Sequence, residues 1–190
     1  YHHVRGEVDP SAAAVVLNHH QRWDGSGYVG GGFPVLQGER IHVFARIVGL
    51  AEQFDRLKHP LNLPEQPTAW VLQTMLDQPL YSRFDPTVVY AMLAVAPAYP
   101  PGSIVQLSDG RWGVCLDHKP NAPCRPNVQV IPDPEHFDPE TAEPGEVIEL
   151  SRQSPKLFIA RHNGVDVTDL NFYLSDQIRE WGGVATPDAA

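Results

Sequence analysis

The sequence contains little cysteine, few basic residues and no long apolar run. Cys115 and Cys124 are its two cysteines. Two are too few for the disulfide framework of a small secreted domain, and their spacing is not that of paired metal ligands. We therefore expect two free thiols in a reducing cytoplasm.

No apolar stretch approaches the roughly 20 residues that a membrane-spanning helix requires, and no signal peptide pattern precedes the first predicted helix. The formal charge is −9, with 14 Lys plus Arg. A surface of this charge repels nucleic acid, so DNA and RNA are not expected as partners. A phosphate-bearing ligand would need metal ions or a local basic cluster. With 190 residues, 42% of them hydrophobic, the chain is long enough to bury a core.

Two adjacent histidines, His19 and His20, lead into a glycine-rich loop. Neutral imidazole is the commonest protein ligand for divalent transition metals, and a histidine pair is hard to explain as packing. In a continuous helix the two side chains would diverge by about 100°. That spacing favours two ions, or one ion and one phosphate. The alternative is a helix end at which cationic histidines face the helix dipole.

The loop after the histidines has the composition of a pocket wall. Gly25 and Gly27 allow positive φ or close backbone approach, and the Asp24 carboxylate can accept hydrogen bonds from the amides that follow it. Tyr28 adds an aromatic ring and a hydroxyl.

HHQRWDGSGYVGG followed by GERIHVFARIVGLAEQFDRL resembles the second half of an HD-GYP domain, over roughly residues 12–100. That family is a branch of the HD metal-dependent phosphohydrolases and hydrolyses the bacterial messenger cyclic di-GMP at two or three metal ions. The resemblance implies a cytoplasmic signal-transduction hydrolase with a cyclic dinucleotide substrate. Iron or manganese would be its cofactor, with magnesium, zinc or nickel as alternatives.

The resemblance also assigns residues. It implies metal binding by His19, His20 and Glu52, the last at the position of a family aspartate. It implies a substrate pocket walled by the loop, whose residues are Asp24, Gly25, Gly27 and Tyr28. Asp55 would support the bound Glu52 without contacting the metal, and Arg46 would orient a carboxylate or cap the core. A plain helix surface also explains Glu52 and Asp55.

The sequence departs from the family at several points. Val29 replaces the signature proline, about four extra residues lengthen the loop within residues 29–37, and no His-Asp dyad is present. The basic residues that family members carry near residues 61–65 are also missing. His2 or His3 is a candidate for an upstream metal-binding histidine, with a frayed chain end as the alternative.

We therefore expect a C-terminal fragment of a longer protein, or a member that has lost half its site. A fragment would bind metal weakly and be inactive alone, and its full-length protein would carry an upstream sensor or receiver domain and could form a homodimer. Two alternatives to a cyclic di-GMP phosphodiesterase remain open. One is an inactive regulatory or protein-interaction domain, and the other is an HD-type phosphohydrolase for a different nucleotide.

The predicted fold class is α+β, with a partial all-α HD-type domain over residues 1–100. A small antiparallel β module follows over residues 101–160, then a tail over residues 161–190 with a short helix at residues 170–181. Caps and apolar spacing predict helices over residues 12–20, 41–57, 68–77 and 85–96. The second should bury an apolar face formed by Phe44, Ile47, Val48, Ala51, Phe54 and Leu57. Alternation predicts strands over residues 104–107, 112–116, 128–131, 146–150 and 157–160, and an acidic, proline-rich surface loop over residues 132–144.

Overall fold

The computed structural model describes residues 9–29, 31–134 and 145–172. These residues form two compact units, one of residues 9–66 with Thr74–Met92 and one of Pro67–Gln73 with residues 93–172. Four helices precede six strands, which confirms the predicted α+β class. The predicted domain boundaries remain predictions.

The helices lie where caps and apolar spacing place them, within two residues at each end. They are α1 (Pro10–Asn18), α2 (Val43–Lys58), α3 (Thr68–Leu76) and α4 (Pro86–Val95). Asp9 caps α1 by accepting a hydrogen bond from the Ser11 amide at 2.7 Å, and Pro10 takes the first helical position. The prediction carried this helix to His20, but it ends at Asn18, with His19 as its C-cap.

The prediction that α2 buries its large apolar side chains is wrong within the described part of the chain. Phe44 is 51% exposed and Ile47 is 45% exposed, while the buried residues of α2 are Ala45 and Leu50. Periodicity identifies which residues share a face, but it does not tell which face another element covers. Here α1 approaches the side of α2 that carries small residues.

The second unit contains a six-stranded antiparallel sheet in the order β4-β3-β2-β1-β5-β6. The strands are β1 (Ile104–Leu107), β2 (Trp112–Cys115), β3 (Asn127–Ile131), β4 (Val147–Glu149), β5 (Ile159–His162) and β6 (Val165–Asp166). The predicted hairpin is present, because β1 and β2 pair with Val105 opposite Gly113 and Gly110 has φ +91° at the turn. The fifth strand lies two residues beyond its predicted position, and the sheet continues past residue 160.

The inner residues of β1 and β2 alternate with partly exposed ones, as one covered sheet face requires. Val105, Leu107, Val128 and Ile159 are almost fully buried within this unit. The remaining predicted features, His2 and His3, most of the proline-rich loop and most of the closing helix, lie outside the described residues.

Among the residues described, none of the helices combines the length and the apolar character that a bilayer crossing requires.

Candidate metal centre

The histidine pair stands at the point where α1 ends. His19 still has helical backbone angles (φ −65°, ψ −18°), and His20 follows in a turn. Because His20 has left the helix, its side chain is released from the 100° spacing that a continuous helix would impose. The two rings lie 4.0 Å apart between centroids, tilted by 41°. The two imidazole rings therefore lie side by side.

Glu52 on α2 completes the group. Its Oε2 lies 3.5 Å from Nδ1 of His20, and one donor atom from each of His19, His20 and Glu52 lies within 4.8 Å of the other two. The three residues on which the resemblance placed metal binding thus meet in space.

Gly49 permits the close crossing of the two helices. A Cβ built on this residue would lie 2.5 Å from the carbonyl oxygen of His19, which is closer than real Cβ contacts. Since Gly49 lies one turn before Glu52, the same contact sets the distance between Glu52 and the histidines.

A backbone hydrogen bond orients one imidazole. Nδ1 of His19 lies 2.9 Å from the carbonyl oxygen of Val15, which can only accept, so Nδ1 carries the proton. The Nε2 lone pair of His19 is then available to a metal. Histidines that bind metals commonly donate their other ring N–H in this way.

The donor set fits a divalent transition metal. Two imidazole nitrogens and a carboxylate oxygen suit iron, manganese, zinc or nickel. Donors about 2.1 Å from one ion lie roughly 3 to 4.2 Å apart, so small side-chain rotations would close the present group around an ion. The side chains of His20 and Glu52 are 38% and 36% exposed, which leaves room for further ligands of an ion.

The loop folds back on the histidine pair. The amide of Tyr28 donates to the carbonyl oxygen of His20 at 3.3 Å, and the two rings stack with centroids 5.0 Å apart. A Cβ on Gly27 would lie 2.4 Å from the Arg22 nitrogen, so this close return requires glycine. Gly25 has φ +80°, which also favours glycine.

Asp24 shapes the loop turn. Its Oδ1 accepts a hydrogen bond from the Ser26 amide at 2.8 Å. Partial burial by itself raises the pKa of the Asp24 carboxyl, but hydrogen bonds from Ser26 and the guanidinium groups of Arg22 and Arg83 together lower it below its ordinary value.

The extra loop residues are held against the signature turn. The buried Gln21 side chain accepts a hydrogen bond from the Leu36 amide, and the Gly38 amide donates to the Trp23 carbonyl oxygen at 3.0 Å. Gln37 donates to the carbonyl oxygen of Asp24 at 3.2 Å. The insertion therefore packs onto this turn.

The two predicted supporting residues take other partners. Arg46 forms an ion pair with Asp85, whose side chain is 4% exposed, and its guanidinium lies 5.5 Å from the centre of the Trp23 ring. Asp55 faces His59 at 3.7 Å and is 78% exposed. Their proposed support of the metal ligands remains a prediction.

A cleft of about 90 Å³ opens beside the histidines and Glu52. Five residues of α2 line it, and apart from the adjacent pair Glu52 and Gln53 they follow at intervals of three to four, so they form one stripe of the helix: Arg46, Gly49, Glu52, Gln53 and Arg56. Sequence reasoning gave no function to Arg22, Trp23, Arg83 or Phe84, which also line the cleft. Arg83 reaches the cleft because its carbonyl oxygen accepts from the Trp23 amide at 2.8 Å. No local spacing signals that contact, since 60 residues separate the pair.

Comparison with known families agrees with this architecture. Residues 7–88 match the HD domain, and residues 104–165 match the KOW domain associated with the HD domain. The helical part of this chain is therefore similar to an HD domain. The resemblance to an HD-GYP domain is thereby confirmed.

Proteins of several bacteria are similar to this chain. The chain is 30% identical to a cyclic di-GMP phosphodiesterase of Pseudomonas aeruginosa over 131 residues. The aligned region covers 66% of this chain and 29% of the relative. It is 41% identical over 85 residues to the cyclic di-GMP phosphodiesterase response regulator RpfG of Xanthomonas campestris. This alignment covers 43% of this chain and 20% of the relative. A probable cyclic di-GMP phosphodiesterase of Vibrio cholerae is 36% identical over 88 residues. This alignment covers 43% of this chain and 18% of the relative. The chain spans less than a third of the length of these curated relatives.

Proposed function

We propose that this HD domain is part of a metal-dependent phosphodiesterase that hydrolyses cyclic di-GMP. One observation carries the proposal, namely that donor atoms of His19, His20 and Glu52 lie within 4.8 Å of one another beside a cleft. The names of the relatives supply the substrate, because each of the three is a known or probable cyclic di-GMP phosphodiesterase.

His19, His20 and Glu52 would hold a divalent metal ion, iron or manganese in preference. When bound there, such an ion supplies Lewis acidity that polarises a phosphoryl oxygen and activates water for in-line attack. The hydrogen bond from His19 to the Val15 carbonyl oxygen would leave the Nε2 lone pair available to such an ion. The partial exposure of the three side chains lets ligands from elsewhere in the full-length protein complete the coordination.

The loop would position the substrate. Tyr28, stacked on His20 and 62% exposed, offers a flat apolar surface to a guanine base. The glycines at 25 and 27 keep the loop backbone close to the histidines, so a bound base and the scissile phosphate can lie next to each other.

The test uses the full-length protein loaded with manganese or iron and supplied with cyclic di-GMP and a panel of other cyclic and linear nucleotides. His20→Ala and Glu52→Gln should each lower metal affinity by about 10 to 100-fold and lower turnover at least as much. His59→Ala is the matched control, because His59 lies at the C-terminal end of α2, the helix that carries Glu52, but outside the group of three donors. Full activity in both ligand variants would refute the proposal.

The substitution of glutamate for aspartate at Glu52 favours one competing function, a regulatory or protein-interaction domain that retains the scaffold without the reaction. Metal-loaded full-length protein that binds cyclic di-GMP without hydrolysing it would support this alternative. Hydrolysis of a different nucleotide from the panel would instead indicate another HD-type phosphohydrolase.

A further inference from the structure

The cleft beside the three donors is basic, although the whole chain is acidic. Its walls carry Arg22, Arg46, Arg56 and Arg83, against the carboxylates of Glu52 and Asp85. Four of the 14 basic side chains of a chain with net charge −9 thus line one small cleft. Such a concentration attracts a ligand with more than one negative charge.

Two of these arginines already have a carboxylate partner within the cleft. Arg46 pairs with the buried Asp85, and Arg56 lies 3.8 Å from Oε1 of Glu52. Arg46 is also stacked over Trp23, so its position is set by the fold. These two side chains balance charges that the protein itself supplies.

Arg22 and Arg83 differ from that pair. The guanidinium of Arg22 makes a long 3.5 Å contact with the Ser26 hydroxyl, and both arginines act on Asp24 through charge alone. The backbone hydrogen bond from the Trp23 amide to the Arg83 carbonyl oxygen joins the two segments that carry Arg22 and Arg83. The two arginines therefore lie on neighbouring segments of the cleft wall. Two guanidinium groups that line one cleft can present several N–H donors to one phosphate.

We propose that Arg22 and Arg83 form an anion-binding subsite for a second phosphate group of the substrate, while the three donors on α1 and α2 hold the ion that meets the scissile phosphate. This assignment rests on the proposed function and deepens it, because it selects ligands with two phosphates over mononucleotides. It also provides basic residues in a chain that has none at residues 61–65.

The experiment removes the metal so that the arginines are tested alone. Full-length protein stripped of ions with EDTA is titrated calorimetrically with cyclic di-GMP, and with GMP as a probe that carries one phosphate. Arg22→Gln and Arg83→Gln should each weaken cyclic di-GMP binding about tenfold or more, since each removes charge-assisted hydrogen bonds. The phosphate of GMP should meet the same two arginines, so its affinity should fall by a similar factor in both glutamine variants.

Arg40→Gln is the matched control, because Arg40 is an exposed arginine of the same unit that does not line the cleft. Arg22→Lys keeps the charge without the planar fork and should lose less affinity than Arg22→Gln. Manganese affinity and thermal unfolding should stay unchanged in Arg22→Gln and Arg83→Gln, which separates loss of the subsite from loss of the fold. The salt dependence of dinucleotide binding should also become less steep.

Unchanged dinucleotide affinity in both glutamine variants would overturn the subsite. That result does not bear on hydrolysis. The proposed function fails separately if the unsubstituted, manganese-loaded protein turns over none of the nucleotides.

Discussion

At the scale of single residues, the geometry of the candidate metal centre depends on two glycines, Gly49 and Gly27, that have no side chain. The hydrogen in place of a side chain at Gly49 allows the His19 carbonyl oxygen to approach α2, and the same absence at Gly27 allows the loop to return to Arg22. Neither residue has positive φ, so steric room is what each position requires.

We expect Gly49→Ala to destabilise the protein by about 1 to 3 kcal/mol, because the new methyl group meets backbone that has no room to move. In an unhindered helix the same change stabilises by up to about 1 kcal/mol. The sign of the stability change therefore shows whether the close contact at Gly49 exists. Manganese affinity should fall as well, since Glu52 moves away from His19 and His20. Urea unfolding and manganese titration measure the two effects.

Val48→Ala is the control for this substitution, because Val48 is the adjacent residue on α2 and its side chain is 39% exposed. It should leave manganese affinity unchanged. A more stable Gly49→Ala variant with normal manganese binding would show that the contact with His19 is unimportant.

At the scale of elements, Asp85 links two helices. It caps α4 by accepting a hydrogen bond from the Thr87 amide at 2.9 Å, and it forms the ion pair with Arg46 of α2. A single buried carboxylate thus satisfies a helix end and a guanidinium that lines the cleft.

Asp85→Ala should cost about 3 to 5 kcal/mol in stability, because it removes the cap and leaves Arg46 without its partner. Asp85→Asn keeps an oxygen for the cap and should cost less. Chemical denaturation of both variants separates the two roles. Glu65→Ala, which breaks the more exposed ion pair to Lys58, should change stability little, and equal losses in all three variants would contradict this account.

Element prediction succeeded where the signal was local and failed where it was incomplete. The Asp-Pro starts of α1 and α4 and the Asp-Gly turn between β1 and β2 each determine an element from adjacent residues. The hairpin between β5 and β6 was missed, although Asn163 and Gly164 both have positive φ and form the turn residues typical of tight hairpins. A strand of two residues is too short for alternation to reveal.

At the scale of the whole molecule, the two thiols report on the opening of the second unit. Burial raises the pKa of Cys115 to about 11 and that of Cys124 to about 12. Both are free thiols within the part of the chain that the structure describes. A folded-state pKa above the unfolded value of 9 stabilises the protein below pH 9, and this contribution is lost as the pH rises towards 11.

We therefore expect unfolding free energy to fall above pH 9, by up to roughly 1.4 kcal/mol per pH unit for each thiol that ionises only in the unfolded chain. Cys115→Ala with Cys124→Ala should flatten this slope, whatever its effect at neutral pH. Thiol labelling at pH 8 should be slow in the native protein and rapid in urea. Fast native labelling of either cysteine would contradict the burial.

The sequence by itself determined the helix starts, the first hairpin, the glycine loop and the histidine pair, because caps, turns and adjacent ligands act over a few residues. Tertiary structure alone decided which face of α2 is covered, that Gly49 touches His19, and that Arg83 joins the cleft beside Arg22. Those features depend on contacts between segments far apart in the chain. Such contacts impose no regular residue pattern on either segment, so the sequence of one segment does not indicate its partner.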